Sequence, residues 1–290
     1  MDTADISISP DELARLLGGP RAPLLLDVRR EAAFAGSRRM IASAVRCAPE
    51  NVAGYARSGP PREVVVYCVF GHAVSREAAL TLRAAGWNAR LLAGGLKGGE
   101  DGVDAPEAIA AWRAAALPVL RKRPDLGVSG ERPSRWITRD APKVDRVACP
   151  WLIRRFIDPH AGFFYVPADR VLEEARRLGG VAYDIEGTPI SHRRELCSFD
   201  ALLDAFELRL PALAAMAAIV RAADTNRCTA VPQAAGLLAI SLGLSRLHAG
   251  DDQAMLAAAM PIYDALHAWC RDGQGEAHSW RAHDVSGSAP

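Results

Sequence analysis

Leu24-Leu25-Leu26-Asp27-Val28 and Val64-Val65-Val66-Tyr67 are apolar without alternation. A strand with one wet face alternates, so two such runs demand a sheet covered on both sides. A helical stretch at 76–85 separates the second run from a further strand at 89–92, and Gly94-Gly95 makes a tight turn. Strands alternating with helices predict an α/β domain on a mainly parallel sheet. Upstream, Ser9-Pro10-Asp11-Glu12 reads as a helix start, with Ser9 as cap, Pro10 at the first helical position and Glu12 closing a capping box.

The chain has 290 residues, half of them apolar, which predicts two globular domains at ~100–200 residues each. The polar, Gly- and Pro-containing stretch 121–133 is the expected linker between domains at 5–120 and 134–272, with 273–290 as a flexible tail. The charge is nearly balanced, 35 basic against 34 acidic residues, and neither part carries the basic excess that phosphate-backbone binding needs; nucleic acid is disfavoured as a partner. Met1–Ile6 has acidic residues where an export signal has basic ones, and runs such as Ala234–Ile240 are far below the ~20 residues of a membrane span. Six cysteines (47, 68, 149, 197, 228 and 270) lack paired spacing, so free thiols in the cytoplasm are expected.

Beyond the linker, helical periodicity at 145–157 is interrupted by Pro150; a strand at 163–166, a helix at 168–178 and a strand at 181–185 follow. Helices at about 199–207, 211–223, 233–247 and 252–271 complete the pattern. The second domain is therefore predicted to be α+β, mainly helical, with a small sheet near its start.

Cys68 directly follows a buried strand, and Val69-Phe70-Gly71-His72-Ala73-Val74 lead to the helix opening at Ser75-Arg76. Such a loop turns backbone N–H groups inward beside a helix N-terminus, which favours a thiolate or an anion. A buried cysteine ending a core strand is the alternative. Phosphatases with a cysteine loop place Arg after five intervening residues, six beyond the nucleophile, to grip phosphate in two places. Here that position is Val74, so phosphate-ester hydrolysis is disfavoured.

Tyr67-Cys68-Val69-Phe70-Gly71-His72-Ala73-Val74-Ser75, with Leu26-Asp27-Val28-Arg29 and Leu92-Ala93-Gly94-Gly95-Leu96, resembles the single-domain rhodaneses over about residues 5–120. The resemblance implies sulfur transfer with Cys68 as nucleophile, residues 69–74 as the persulfide cradle, and Asp27 and Arg29 supporting the substrate side, for which a strand-end ion pair is the alternative. Expected partners are a small sulfur donor such as thiosulfate and a thiol or cyanide acceptor, with no cofactor. The sequence departs from the family at Met40-Ile41-Ala42-Ser43-Ala44, where His-Ile-Pro-Gly-Ala is common. It also has Gly99 in place of the Trp after the turn, with Trp112 downstream.

Lys143 to Pro159, with the core Arg146-Val147-Ala148-Cys149-Pro150-Trp151, and His192-Arg193-Arg194-Glu195-Leu196-Cys197-Ser198-Phe199-Asp200 resemble the C-terminal domain of ChrB-type chromate-resistance proteins over about 134–272. Pro150 at a first helical position would put Cys149 at an N-cap; burial as a small apolar residue is the alternative. Arg146, Arg154 and Arg155 share a helical face that suits an oxyanion such as chromate or sulfate, or pair with Asp145 and Asp158. His192, Glu195 and Cys197 precede a helix capped by Ser198 and are competent ligands for zinc or iron, with Asp224 or His248 as a fourth; an ordered loop is the alternative. His160, His267, His278 and His283 read as surface residues.

The expectation is a two-domain sulfurtransferase acting through a Cys68 persulfide in chromate or oxyanion stress. A non-enzymatic redox or oxyanion sensor is the competing class.

Overall fold

A computed structural model describes residues 6–276; the acidic start and His278 and His283 of the expected tail lie outside the described residues. The first part runs β1 (Ser7–Ile8), α1 (Pro10–Leu16), β2 (Leu24–Asp27), α2 (Glu31–Ala35), β3 (Arg39–Ile41), β4 (Val45–Arg46), α3 (Val52–Arg57), β5 (Glu63–Tyr67), α4 (Ala73–Ala84), β6 (Asn88–Leu92), α5 (Pro106–Ala114) and β7 (Val119–Arg121). The second runs β8 (Arg135–Arg139), α6 (Asp145–Leu152), β9 (Gly162–Val166), α7 (Val171–Leu178), β10 (Val181–Ala182), α8 (Ser198–Ala205), α9 (Pro211–Asp224), α10 (Pro232–Leu247) and α11 (Asp252–Ala268). Both α6 and α11 continue into a π-helical turn, Ile153–Ile157 and Trp269–Gly273.

The first sheet is parallel throughout, in the order β1-β6-β5-β2-β4, and the second, also parallel, is β10-β8-β9. Side chains of β2 and β5 explain the missing alternation. Leu24, Leu26, Val64 and Val66 face one buried cluster with Ala78, Ala79 and Leu82 of α4, while Leu25, Val65 and Tyr67 face another. That second cluster does not stop at the end of the first part. It runs through Ile8, Leu13, Leu17 and Met40 into Trp136, Trp151, Phe156, Phe199 and Leu213, so the helical part covers one face of the first sheet.

The stretch 121–133 is accordingly packed and is no free linker. Leu126 and Val128 are buried, and β7 pairs antiparallel with β3. Arg121 N–H donates to Phe206 O at 3.0 Å and Arg123 to Ala205 O at 3.2 Å, stitching it to α8. Polar composition conceals two apolar anchors in a short turn.

Local expectations differ in four places. Ser9 does cap α1, accepting Glu12 N–H at 3.1 Å, but the Glu12 carboxylate pairs with Arg90 on β6 instead of closing a capping box. Helix α4 begins at Ala73, three residues early. Cys149 lies inside α6, as does Pro150, because the helix already starts at Asp145. Proline cannot donate to the carbonyl four residues back, Arg146 O, and the Tyr183 hydroxyl donates there at 3.2 Å. Finally, His267 is buried, its ring 5.3 Å from Trp151 and 5.4 Å from Phe156.

Candidate functional site: a thiol loop and a carboxylate–histidine cluster

Cys68 leaves β5 at the C-terminal edge of the first sheet, where parallel α/β folds build sites. Its loop is fixed to the turn after β6: Leu96 N–H donates to Cys68 O at 3.0 Å and Lys97 N–H to Val69 O at 2.9 Å. Gly71 has φ +81°, and a Cβ there would stand 2.7 Å from Gly94 N and 2.9 Å from Gly95 N. Only glycine permits both that conformation and that approach.

The chain then turns directly into α4. Ser75, in its first turn and fully buried, places Oγ 3.3 Å from Cys68 Sγ and donates to His72 O at 3.1 Å. With its proton given to His72 O, the Ser75 hydroxyl faces the thiol as an acceptor, and the positive end of the helix lies beside both. Cys68 is 6 % exposed, so its approach is narrow. Val74 packs against the apolar cluster that contains Cys68.

His72 is turned to another task. Its Nε2 lies 2.8 Å from Asp104 Oδ2, which also accepts Glu100 N–H at 2.7 Å, and these bonds hold the Asp104 carboxyl below its usual range. An open depression of about 610 Å³ beside the loop is lined by Phe70, Gly71, His72, Ala73 and Arg76. A second, of about 730 Å³, meets the loop at Val69 and carries Arg38, Arg39 and Lys97. Trp112 on α5 donates to Gly95 O at 3.0 Å and packs on Gly94 and Gly98, so the displaced tryptophan does buttress the turn.

Asp27 and Arg29 are 0 % and 1 % exposed and bind each other through several N–H···O bonds. Tyr67 OH donates to Asp27 at 2.8 Å, and Arg29 reaches Arg39 O. This enclosed pair is a structural clamp, the strand-end ion pair of the two readings, and is not open to a substrate.

In the second part, Val144 adopts φ 37°, ψ −95°, a conformation that costs a β-branched residue about 1–3 kcal/mol. Ser241 and Tyr263 hold it by hydrogen bonds at 2.9 and 2.8 Å. The bend aims Asp145 into the core, where it accepts Ser198 and Phe199 N–H at 2.8 and 3.1 Å and so caps α8 from a distance. Cys149 Sγ donates to the same carboxylate at 3.3 Å. Ser198 is thus not the cap. Cys197 occupies that position, and its backbone N–H donates to Asp200 at 3.0 Å.

Three carboxylates converge on one imidazole. His192 Nε2 lies 3.1 Å from Asp224 Oδ2, 3.3 Å from Asp184 Oδ1 and 3.6 Å from Asp145 Oδ2. Donor atoms of Asp145, Asp184 and His192 all fall within 4.8 Å of one another. Burial, then the neighbouring carboxylates, raise the Asp145 carboxyl, and burial raises that of Asp224. Asp184 also meets Arg139 at 2.8 Å and Arg146 at 3.4 Å.

The expected ligand set is only partly assembled. His192 and Asp224 are brought together, but Glu195 points to solvent, 3.0 Å from Arg227, and Cys197 is buried against Asp200. Burial pushes the thiols of Cys149 and Cys197 far up, which keeps them protonated. Of the arginines, Arg146 borders the cluster, Arg154 lies over the Phe163 ring at 5.0 Å, and Arg155 pairs with Asp264 at 2.8 Å; Asp158 instead accepts from Ser134. Asp145 and Asp184 are the members of this cluster that sequence reasoning missed. The signal for them, a carboxylate at a buried helix start and another just past a short strand, is weak without the fold.

Residues 9–101 match the family model described as the rhodanese-like domain, and residues 136–270 that of ChrB, C-terminal domain. Among curated proteins, Protein ChrB of Cupriavidus metallidurans is 35% identical over 171 residues, 54% of this chain and 50% of that protein. The chain therefore spans about half the length of this relative. Among solved structures, a rhodanese homolog from Thermus thermophilus is 31% identical, with 31% of this chain and 96% of that one covered and a TM-score of 0.27. A thiosulfate sulfurtransferase from Pseudomonas aeruginosa is 27% identical, covering 39% of this chain and 19% of that one, with a TM-score of 0.28.

Proposed function

The chain joins a rhodanese-like domain at residues 9–101 to a ChrB C-terminal domain at 136–270, and from this premise we propose that it is a sulfurtransferase acting through a Cys68 persulfide in a chromate-related role. The observation that carries the reading is the position of Cys68 Sγ, 3.3 Å from Ser75 Oγ in the first turn of α4, on a loop that Gly71 presses against Gly94 and Gly95.

In the first step the Cys68 thiolate attacks the outer, sulfane sulfur of thiosulfate. A Cys–S bond forms, the S–S bond of the donor breaks, and sulfite leaves with the bonding pair. In the second, a thiol or cyanide acceptor attacks the outer sulfur of the persulfide, and the Cys68 thiolate leaves. The helix N-terminus stabilises the anionic sulfur at both stages. No cofactor is needed.

The ChrB match supports the chromate-related setting, and chromate is close to sulfate in charge and shape. The free cysteines support a reducing setting, and no helix among the described residues is long and apolar enough to cross a membrane. One observation favours a second reading, a redox or oxyanion sensor without turnover: Cys68 is nearly enclosed, and its loop carries Val74 in place of a cation.

Intact-mass analysis after thiosulfate exposure tests the reading. It predicts one added sulfur atom on the wild type and none on Cys68→Ser. An adduct that persists in the variant, or maps to Cys149 or Cys197, would overturn it.

A further inference from the structure

The carboxylate–histidine cluster stands apart from Cys68 chemistry, and three of its four members are carboxylates. Nitrogen Nε2 of His192 carries at most one proton, yet oxygens of Asp145, Asp184 and Asp224 all lie within 3.6 Å of it. Arg139 and Arg146 both engage Asp184, and the two N–H groups of α8 engage Asp145. For Asp224 the cationic partner is His192 alone among the ion pairs of the described residues. Asp224 is also the last residue of α9, where the helix dipole repels a carboxylate.

A second feature lies on the adjoining sheet. Thr138 Oγ1 is fully buried and has no hydrogen-bond partner. It shares the face of β8 with Trp136, which meets Tyr183 edge-on, and Tyr183 in turn reaches Arg146 O on α6. The polar group therefore sits on the wall that backs the opening of α6, opposite the face where Ile137 packs with Val171 and Ala175 of α7.

We propose that Asp145, Asp184, Asp224 and His192 bind a divalent first-row transition-metal cation. One imidazole nitrogen with carboxylate oxygens is a hard-to-borderline donor set, suited to Mn²⁺, Fe²⁺ or Zn²⁺. The nearby thiols are engaged as donors: Cys149 Sγ donates to Asp145 and Cys197 Sγ to Asp200. Donor atoms of Asp145, Asp184 and His192 lie within 4.8 Å of one another, and Asp224 Oδ2 stands 3.1 Å from His192 Nε2, close to the spacing of ligands at ~2.0–2.2 Å from a common centre. His192 is 41 % exposed, so a cation has a route in, and water or an oxyanion has a route to it.

The test uses the full chain, stripped with a chelator and titrated with Mn²⁺ alone and with Zn²⁺ alone, with bound metal counted by elemental analysis. Expected is one equivalent per chain for at least one ion. His192→Ala and Asp224→Asn, each at a partly exposed position, lower its affinity by more than about tenfold, the loss that even an outer-sphere partner can cause. Glu195→Ala and Cys197→Ser leave it within about twofold, with near-ultraviolet circular dichroism reporting an intact fold in all four. Substoichiometric binding of both ions, unchanged affinity in His192→Ala, or loss in Glu195→Ala would overturn the site. Because the readout is metal and not sulfur transfer, its failure and that of the Cys68 reading are separate results.

Discussion

The backbone N–H of Ser43 donates to the carbonyl of Phe156 at 2.7 Å, tying the turn after β3 to the π-helical end of α6. The Phe156 ring also closes over Gly18, which has φ +75° and no room for a Cβ. Two domains identified separately by sequence thus share one apolar core.

This predicts a single cooperative unfolding transition for the full chain, seen alike by calorimetry and tryptophan fluorescence. Gly18→Val forces the ring aside and should cost about 1–3 kcal/mol. Two separate transitions, only one of them moved by Gly18→Val, would show that the halves are independent.

The Asp27–Arg29 pair makes a second prediction. Asp27→Ala leaves a guanidinium buried at 1 % exposure without its partner, so urea denaturation should show a loss of about 3–5 kcal/mol. Tyr67→Phe removes one hydrogen bond to the same carboxylate and one from the Ile41 N–H, leaves no charge unpaired, and should cost less. Equal small effects would mean that the clamp contributes little.

His267 supplies the pH prediction. Burial, then Arg271, lowers its pKa to about 4, against the opposing pull of Asp264 and Asp272. Unfolded, the imidazole takes a proton near 6.5. Between these values the unfolded chain binds the extra proton, so stability falls as pH falls through the window. From pH 7 to pH 5 the wild type should lose about 2 kcal/mol relative to His267→Phe. An identical pH dependence in both proteins would contradict this.

What the sequence made legible was local. Unalternating strands foretold a covered sheet, and the loop from Cys68 to Ser75 sits entirely within eight consecutive residues. Cys149 was obscured because Pro150 has two meanings, a helix start or an interior proline. The choice depends on whether something distant, here Tyr183, satisfies Arg146 O. The cluster on His192 was obscured for the same reason. Its members are drawn from positions 145, 184, 192 and 224, and no periodicity along the chain records that a bent backbone at Val144 and the end of α9 meet there.

The most direct test of the account is steady-state turnover of the full chain with thiosulfate and cyanide, following thiocyanate, beside Cys68→Ser. A sulfurtransferase working through Cys68 forms many thiocyanates per wild-type chain and none above background in the variant. Adduct formation without turnover, or turnover that survives Cys68→Ser, would contradict it.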